Sequence, residues 1–129
     1  MHFKYTILYV TDVRKSISFY EKAFGLKQKM IHESGEYGEL DTGITTLSFS
    51  SKALMTNLGK SPGTANPKAP VFEIAFETQN VHEALEQARK AGANIVQEVR
   101  DEPWGQTTSY VTDDDGYLIE ICSPVKGIS

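Results

Sequence analysis

The chain has 129 residues, 40% of them hydrophobic and 23% charged, with a formal net charge of −4, as expected for one globular domain with a hydrophobic core. The scattered Lys and Arg residues argue against a nucleic-acid partner, which requires clustered cations, and the short apolar runs exclude a membrane-spanning helix. A single cysteine, Cys122, excludes an intramolecular disulfide framework. Because the N-terminus also lacks a secretory signal pattern, we expect a soluble cytoplasmic protein.

The first half of the chain begins with a predicted strand and a predicted helix. The segment "YTILYV" (5–10) is rich in β-branched and aromatic residues, which favour a strand. A helix is predicted to follow, with Asp12 as its N-cap and Gly25 as its stop. Its apolar residues recur at helical spacing, at Val13, Ile17, Tyr20 and Phe24.

Three further strands and a linker complete the first half. The segment "LKQKMIHE" (26–33) predicts a strand, and "EYGELDTGITTLSFSS" (36–51) predicts a hairpin that turns near residues 41–43. Residues 52–69 are rich in Gly, Pro, Ser and Asn, which predicts a linker with one short helical turn. A first βαβββ module is therefore assigned to residues 4–51.

The same order of elements restarts after the linker, which predicts a second βαβββ module over residues 70–124. The segment "VFEIAFET" (71–78) predicts a strand, and Asn80 and Gly92 mark the start and stop of a helix. The apolar face of that helix is formed by Val81, Ala84, Leu85, Ala88 and Ala91. The remaining elements are strands at 94–99, 106–112 and 116–123, a loop at 100–105 and a "DDDG" turn at 113–116.

The two modules repeat with an offset of 68 residues. Asp12, at the start of the first helix, corresponds to Asn80 at the start of the second, so Tyr5 corresponds to Glu73. Repetition at a fixed spacing indicates repeated structural modules. We therefore predict a single α+β domain over residues 1–129, built from two tandem βαβββ modules.

Alternation of side chains along two strands of the second module places Glu73 and Glu120 on faces turned away from the helix. Glu73 lies opposite the apolar set of the first strand, and Glu120 lies with Cys122 opposite that of the last strand. These apolar sets are Ile74 and Phe76 in the first strand and Tyr117, Ile119 and Ile121 in the last. If the sheet curls into a half-barrel, both carboxylates face one concavity.

A pair of carboxylates in one cavity is compatible with several kinds of chemistry. It can bind a divalent cation, act as an acid–base pair, or receive a cationic ligand. On an exposed sheet face, the same two residues would simply accept hydrogen bonds or ion pairs from neighbouring strands. The residues alone leave these alternatives open.

Two segments carry a resemblance to a known superfamily. "YVTDVRKSISFYEKAFGLK" (9–27) and "DDDGYLIEI" (113–121), together with the duplicated βαβββ order, resemble the vicinal oxygen chelate superfamily. Its members include glyoxalase I, bleomycin-resistance proteins, fosfomycin-resistance enzymes and extradiol dioxygenases. The resemblance covers residues 5–124 and implies two modules that curl into a barrel-like cleft, commonly completed in a homodimer.

The resemblance also implies positions for a metal ion. Carried onto this sequence, the four positions are Tyr5, Thr46, Glu73 and Glu120, where the glyoxalase-like pattern has His, Glu, His and Glu. Only Glu120 matches in type, and two carboxylates without an imidazole suit Zn²⁺, Ni²⁺ or Fe²⁺ poorly. We therefore expect no tightly held catalytic transition metal, with a weakly held divalent ion on oxygen ligands as the alternative.

The remaining candidate ligand-binding residues surround these positions. Tyr5 and Tyr9 share one strand face, where their phenols would orient a ligand or make cross-strand contacts. Thr46 and Ser48 would supply hydroxyl groups from the last strand of the first module. Trp104, in "EPWG" (102–105), would line the mouth of the cleft or close the end of the core.

The other reactive side chains are expected to have ordinary roles. His2, His32 and His82 fall on none of the four positions and are expected in solvent. Cys122 is expected to face inward beside Glu120 as a buried, inert thiol.

These observations favour one functional hypothesis and keep a second. The favoured hypothesis is a metal-independent protein of the bleomycin-resistance type, which binds a small organic molecule through Glu73 and Glu120. The alternative is a glyoxalase-like lyase or isomerase, in which Glu73 or Glu120 acts as a general base or as a weak ligand for a divalent ion.

Overall fold

The structure, a computed structural model, describes residues 1–126. It divides into two compact units, the first of which is Met1–Gly63 while the second begins at Thr64. Each unit holds one four-stranded mixed sheet, so the predicted α+β class and the repeated βαβββ order are confirmed. Among residues 1–126, no helix is long and apolar enough to cross a membrane.

The first unit contains four strands and two helices. They are β1 (Tyr5–Val10), α1 (Val13–Phe24), β2 (Lys27–Ile31), β3 (Tyr37–Asp41), β4 (Thr46–Ser51) and α2 (Lys52–Asn57). The strands lie in the order β1, β4, β3, β2, with β1 parallel to β4 and the other pairs antiparallel. A short helical turn was predicted within residues 52–69, and α2 forms it at the start of that segment. The Ser51 hydroxyl accepts a hydrogen bond from the Leu54 amide at the first turn of α2.

Local chemistry sets both ends of α1, as predicted. The Asp12 carboxylate accepts a hydrogen bond from the Lys15 amide at 3.1 Å, which satisfies one of the free N–H groups of the first turn. Gly25 ends the helix with a φ of 69°, a left-handed conformation that glycine adopts without steric cost. The predicted apolar face is buried at Val13, Ile17 and Tyr20, while Phe24 is half-buried.

Gly38 allows α1 to pack closely on β3. A Cβ atom at this position would lie 2.5 Å from the Ile17 Cδ1 atom and 3.2 Å from a methyl group of Val13. The neighbouring side chains of β3, Tyr37 and Glu39, therefore project from the face of the sheet opposite α1, because successive strand residues alternate between faces.

The second unit repeats this arrangement. Its elements are β5 (Glu73–Glu77), α3 (Val81–Lys90), β6 (Asn94–Glu102), β7 (Gln106–Thr112) and β8 (Leu118–Cys122). The strands lie in the order β5, β8, β7, β6, with β5 parallel to β8. Asn80 caps α3 by accepting a hydrogen bond from the Glu83 amide at 3.1 Å. The helix buries Val81, Leu85 and Ala88, while Ala84 and Ala91 of the predicted face are half-buried.

Several strand boundaries differ from the sequence prediction. β2 ends at Ile31 rather than residue 33, and β8 begins at Leu118 rather than residue 116. β6 continues to Glu102, whereas a loop was expected over residues 100–105, because Arg100, Asp101 and Glu102 all pair with β7. β5 begins only at Glu73, and Val71, expected within the strand, is 96% exposed. The composition of residues 100–105 favours a turn, but cross-strand pairing with β7 keeps the first three of these residues extended. Tertiary contacts therefore override the local conformational preference.

Candidate functional site

A cluster of three polar side chains lies on the sheet of the second unit. The Tyr110 hydroxyl is 3.1 Å from Oε2 of Glu73 and 3.0 Å from Oε2 of Glu120. The predicted pair of carboxylates therefore does share one face. We refer to Glu73, Tyr110 and Glu120 as the carboxylate–phenol cluster.

The sheet register explains why these three side chains meet. β8 lies between β5 and β7, and Tyr110 of β7 pairs directly with Glu120 of β8. Glu73, at the start of β5, pairs with Leu118, two residues before Glu120 on the same strand. Because side chains two residues apart on a strand share a face, the Glu73 and Glu120 carboxylates project from the same side of the sheet. Ile119 and Ile121 are buried on the opposite side.

The carboxylate–phenol cluster contains more acceptors than donors. A phenol carries a single proton, whereas each ionised carboxylate offers two acceptor oxygens and no donor. Both Oε2 atoms lie about 3 Å from one oxygen and so within about 6 Å of each other, a distance at which two negative charges repel each other outside bulk water. Burial raises the pKa of Tyr110 above its ordinary value, and the adjacent Glu120 and Glu73 carboxylates raise it further. The phenol is therefore held in its neutral, hydrogen-bond-donating form.

Cys122 borders the carboxylate–phenol cluster, as predicted. Its side chain is buried, two residues after Glu120 on β8. Burial raises the pKa of the thiol to about 11, and the negative charge of Glu120 contributes to that rise. Since the thiolate is the reactive form, Cys122 is an unreactive neutral thiol at physiological pH.

The residues of the cluster do not fit a transition-metal ion. Such ions prefer imidazole and thiolate ligands, while this cluster offers two carboxylates and a neutral phenol that already donates to them. Across residues 1–126, no three His, Cys, Asp or Glu side chains come together in a way that would hold a metal ion. His2, His32 and His82 are exposed, as expected, and His32 is engaged with Ser34 next to it.

In the first unit, the register corrects one predicted equivalence. Tyr5 pairs with Thr46, and Glu73 correspondingly pairs with Leu118, so the counterpart of Thr46 is Leu118. The first-unit position that corresponds to Glu120 is therefore Ser48, and the sequence assignment of Thr46 to this position was wrong by two residues. The second strand is longer in the second unit, since β6 has nine residues and β2 has five, and the offset between the units changes from 68 at β1 and β5 to 72 at β4 and β8.

The first unit has a phenol–carboxylate pair of its own, which the sequence analysis did not predict. The Tyr37 hydroxyl donates to Oε2 of Glu39 at 2.7 Å, and Lys29 lies 3.9 Å from the other Glu39 oxygen. The fully buried Ser48, which pairs with Glu39, donates its hydroxyl proton to the Thr6 carbonyl. Burial raises the pKa of Tyr37 to about 12, with Glu39 adding to the effect.

The other predicted ligand-binding residues are placed as follows. Tyr5 and Tyr9 share the face of β1 opposite the buried Leu8 and Val10, as predicted. The ammonium group of Lys60 lies 5.8 Å from the centre of the Tyr9 ring, within the range of a cation–π contact. Trp104 is 54% exposed and donates from Nε1 to Gln106 at 2.8 Å, so the alternative in which it closes the core is wrong.

Tyr110 is the member of the candidate site that was not predicted from the sequence. The signal that could have identified it is the short "DDDG" turn, because turn length sets the register of the two strands that it joins. Once Thr112 is paired with Leu118 across that turn, Tyr110 falls opposite Glu120.

Comparison with known protein families gives a match over nearly the whole chain. The model of the glyoxalase-like domain matches residues 3–126. Lactoylglutathione lyase from Escherichia coli O157:H7 is 30% identical over 132 aligned positions, which span 94% of this chain and 91% of the relative.

Solved structures match the fold at lower sequence identity. A glyoxalase-related enzyme from Fulvimarina pelagi is similar with a TM-score of 0.82 and 19% identity, over 96% of this chain and 88% of that one. A glyoxalase/bleomycin resistance protein/dioxygenase family enzyme from Burkholderia phytofirmans PsJN gives a TM-score of 0.79 at 17% identity, over 95% and 98% of the two chains.

Proposed function

This chain belongs to the glyoxalase-like domain family, and we propose that within it the protein binds a small organic molecule without a catalytic transition metal. The ligand is expected to carry a cationic group or a polarised N–H or O–H group. The observation that carries the proposal is the single Tyr110 hydroxyl placed between two carboxylates, Glu73 and Glu120.

The balance of donors and acceptors supports this ligand chemistry. One phenol proton does not satisfy two carboxylates, and one of them, Glu73, is exposed at the end of its strand. A ligand ammonium or amide group would supply the missing donor and reduce the repulsion between the two charges. Hydrogen bonds to charged groups are stronger than neutral ones, so this contact would orient the ligand as well as hold it.

A second candidate function is a lyase or isomerase reaction. It is favoured by the 30% identity to lactoylglutathione lyase over 94% of this chain. In that case Glu73 or Glu120 would act as a general base, removing a proton next to a carbonyl group and returning it to the neighbouring carbon. Such an isomerisation needs no oxidant or reductant.

Thermal unfolding with candidate ligands tests the main proposal. A ligand that binds only the folded state raises the melting temperature by mass action, and the rise grows with the logarithm of the ligand concentration above Kd. We expect small aromatic amines or guanidines to raise it in the presence of a chelator, and we expect the shift to be lost in Glu73→Gln and Glu120→Gln. Glu86→Gln is the matched control, because Glu86 is an exposed carboxylate of α3.

The same variants separate the two candidate functions. A ligand-induced shift that survives in both Glu73→Gln and Glu120→Gln would contradict the proposed binding role of the cluster. Turnover of a 2-oxoaldehyde–thiol adduct that disappears with chelator and returns with a divalent ion would instead favour the lyase. No turnover with any metal would rule out the second candidate.

A further inference from the structure

The carboxylate–phenol cluster has the geometry in which a cation would be expected to bridge two acidic groups. Hard divalent cations are held by carboxylate oxygens, and two carboxylates that face one point supply such ligands. Here the point between Glu73 and Glu120 is taken by the Tyr110 hydroxyl, at 3.1 Å and 3.0 Å from the two Oε2 atoms. The phenol thus stands between the carboxylates in the region that a bridging ion would need.

We propose that the Tyr110 hydroxyl takes the place of a bridging cation between Glu73 and Glu120, so that Tyr110 determines that the cluster does not bind divalent metal ions. The inference concerns the same cluster as the proposed function, but it does not require any organic ligand to bind there.

Three features of the structure support this role for Tyr110. The antiparallel pairing of β7 with β8 places Tyr110 directly opposite Glu120, so its phenol projects from the same face of the sheet and its hydroxyl reaches both Oε2 atoms. Its proton provides part of the positive charge density that two adjacent carboxylates require. A neutral phenol is also a poor ligand for a hard cation compared with a carboxylate or water, so it hinders an ion rather than helping to hold it.

The first unit provides an internal comparison. There, Tyr37 donates to a single carboxylate, Glu39, which also has Lys29 nearby. Removing the Tyr37 hydroxyl would leave one carboxylate beside a cation, which does not create a site for a divalent ion. Tyr37→Phe is therefore a matched control for Tyr110→Phe, since both changes remove one phenol hydroxyl from a strand.

The test is titration calorimetry of the full chain with Mn²⁺. Tyr110→Phe is expected to bind Mn²⁺ about tenfold or more tightly than the wild type, because a single hydrogen bond to a charged group is worth at least that ratio. The double variant Tyr110→Phe/Glu120→Gln and the control Tyr37→Phe are expected to show no gain.

Each other outcome would overturn the proposal. A folded Tyr110→Phe protein with no gain in Mn²⁺ affinity would show that the hydroxyl does not exclude the ion. A gain that persists in the double variant, or that appears equally in Tyr37→Phe, would place the ion elsewhere. If Tyr110→Phe does not fold, Tyr110→Leu provides the same measurement. None of these outcomes depends on whether an organic ligand binds, so this inference and the proposed function can fail separately.

Discussion

The packing of α1 against Gly38 gives a prediction whose size follows from the structure. In Gly38→Ala, the new Cβ atom would lie 2.5 Å from Cδ1 of Ile17 and 3.2 Å from both the Met30 carbonyl oxygen and a methyl group of Val13. Carbon atoms prefer separations of about 3.5–4.0 Å, and Ile17 is only 1% exposed, so it has little space to move. Overpacking of a core typically costs about 1–3 kcal/mol, and we expect a loss of about 2 kcal/mol.

Urea denaturation of a small set of variants tests this reasoning. Ile17→Val removes the Cδ1 atom and should cost about 1 kcal/mol alone. In the double variant Gly38→Ala/Ile17→Val the shortest contact is gone, so the combined loss should be smaller than the sum by about 1 kcal/mol. Gly63→Ala is the control, because a Cβ atom there meets no atom within 4 Å. Strict additivity, or equal losses for Gly38→Ala and Gly63→Ala, would refute the proposed packing of α1 on β3.

Three further predictions concern titration, reactivity and helix ends. The pKa of Tyr37 is raised from about 10 to about 12, so its contribution to stability is complete below pH 10 and is lost as the pH rises towards 12. The difference in unfolding free energy between wild type and Tyr37→Phe should therefore fall over that interval, and a flat difference in urea titrations at pH 8 to 11 would contradict it. Cys122, with a pKa of about 11, should not react with a thiol reagent such as dithionitrobenzoate at pH 8 until the chain is unfolded, and rapid labelling of the native protein would disprove its burial. Asp12→Ala and Asn80→Ala should each lower the unfolding free energy by about 1 kcal/mol, the usual value of an N-cap, whereas Asp12→Asn should retain most of it.

Features governed by local chemistry could be predicted from the sequence. The helix starts at Asp12 and Asn80 follow from side chains that accept hydrogen bonds from amides three residues ahead. The shared face of Glu73 and Glu120 follows from the period of two along a strand. The end of β6 could not be predicted in this way, because residues up to Glu102 stay extended through pairing with a distant part of the chain.

Register is the property that the repeat alone could not supply. The offset of 68 residues holds from β1 to β5, but the pairing of Thr46 with Tyr5 and of Leu118 with Glu73 makes it 72 at β4 and β8. An offset measured at one strand therefore does not transfer to another when the strands between them differ in length. A slip of two residues preserves the face of the sheet, which is why Thr46 and Ser48 were both predicted to face the same side while the correspondence to Glu120 was misplaced.

The corrected register shows how the two units differ chemically. Glu39 pairs with Ser48 in the first unit, and Tyr110 pairs with Glu120 at the corresponding positions of the second. Each unit thus has a carboxylate facing a hydroxyl across the same pair of strands, but the two groups have exchanged strands. The carboxylate lies on β3 in the first unit and on β8 in the second.

The two units also differ in how these charges are balanced. In the first unit the Glu39 carboxylate has both a phenol and Lys29 nearby, so its negative charge is balanced. In the second unit Glu73 adds a second carboxylate to a single phenol, and no lysine or arginine side chain is paired with Glu73 or Glu120 in the ion pairs found among residues 1–126. The second unit therefore has the unbalanced pair of carboxylates, and it is there that we propose a ligand supplies the missing donor.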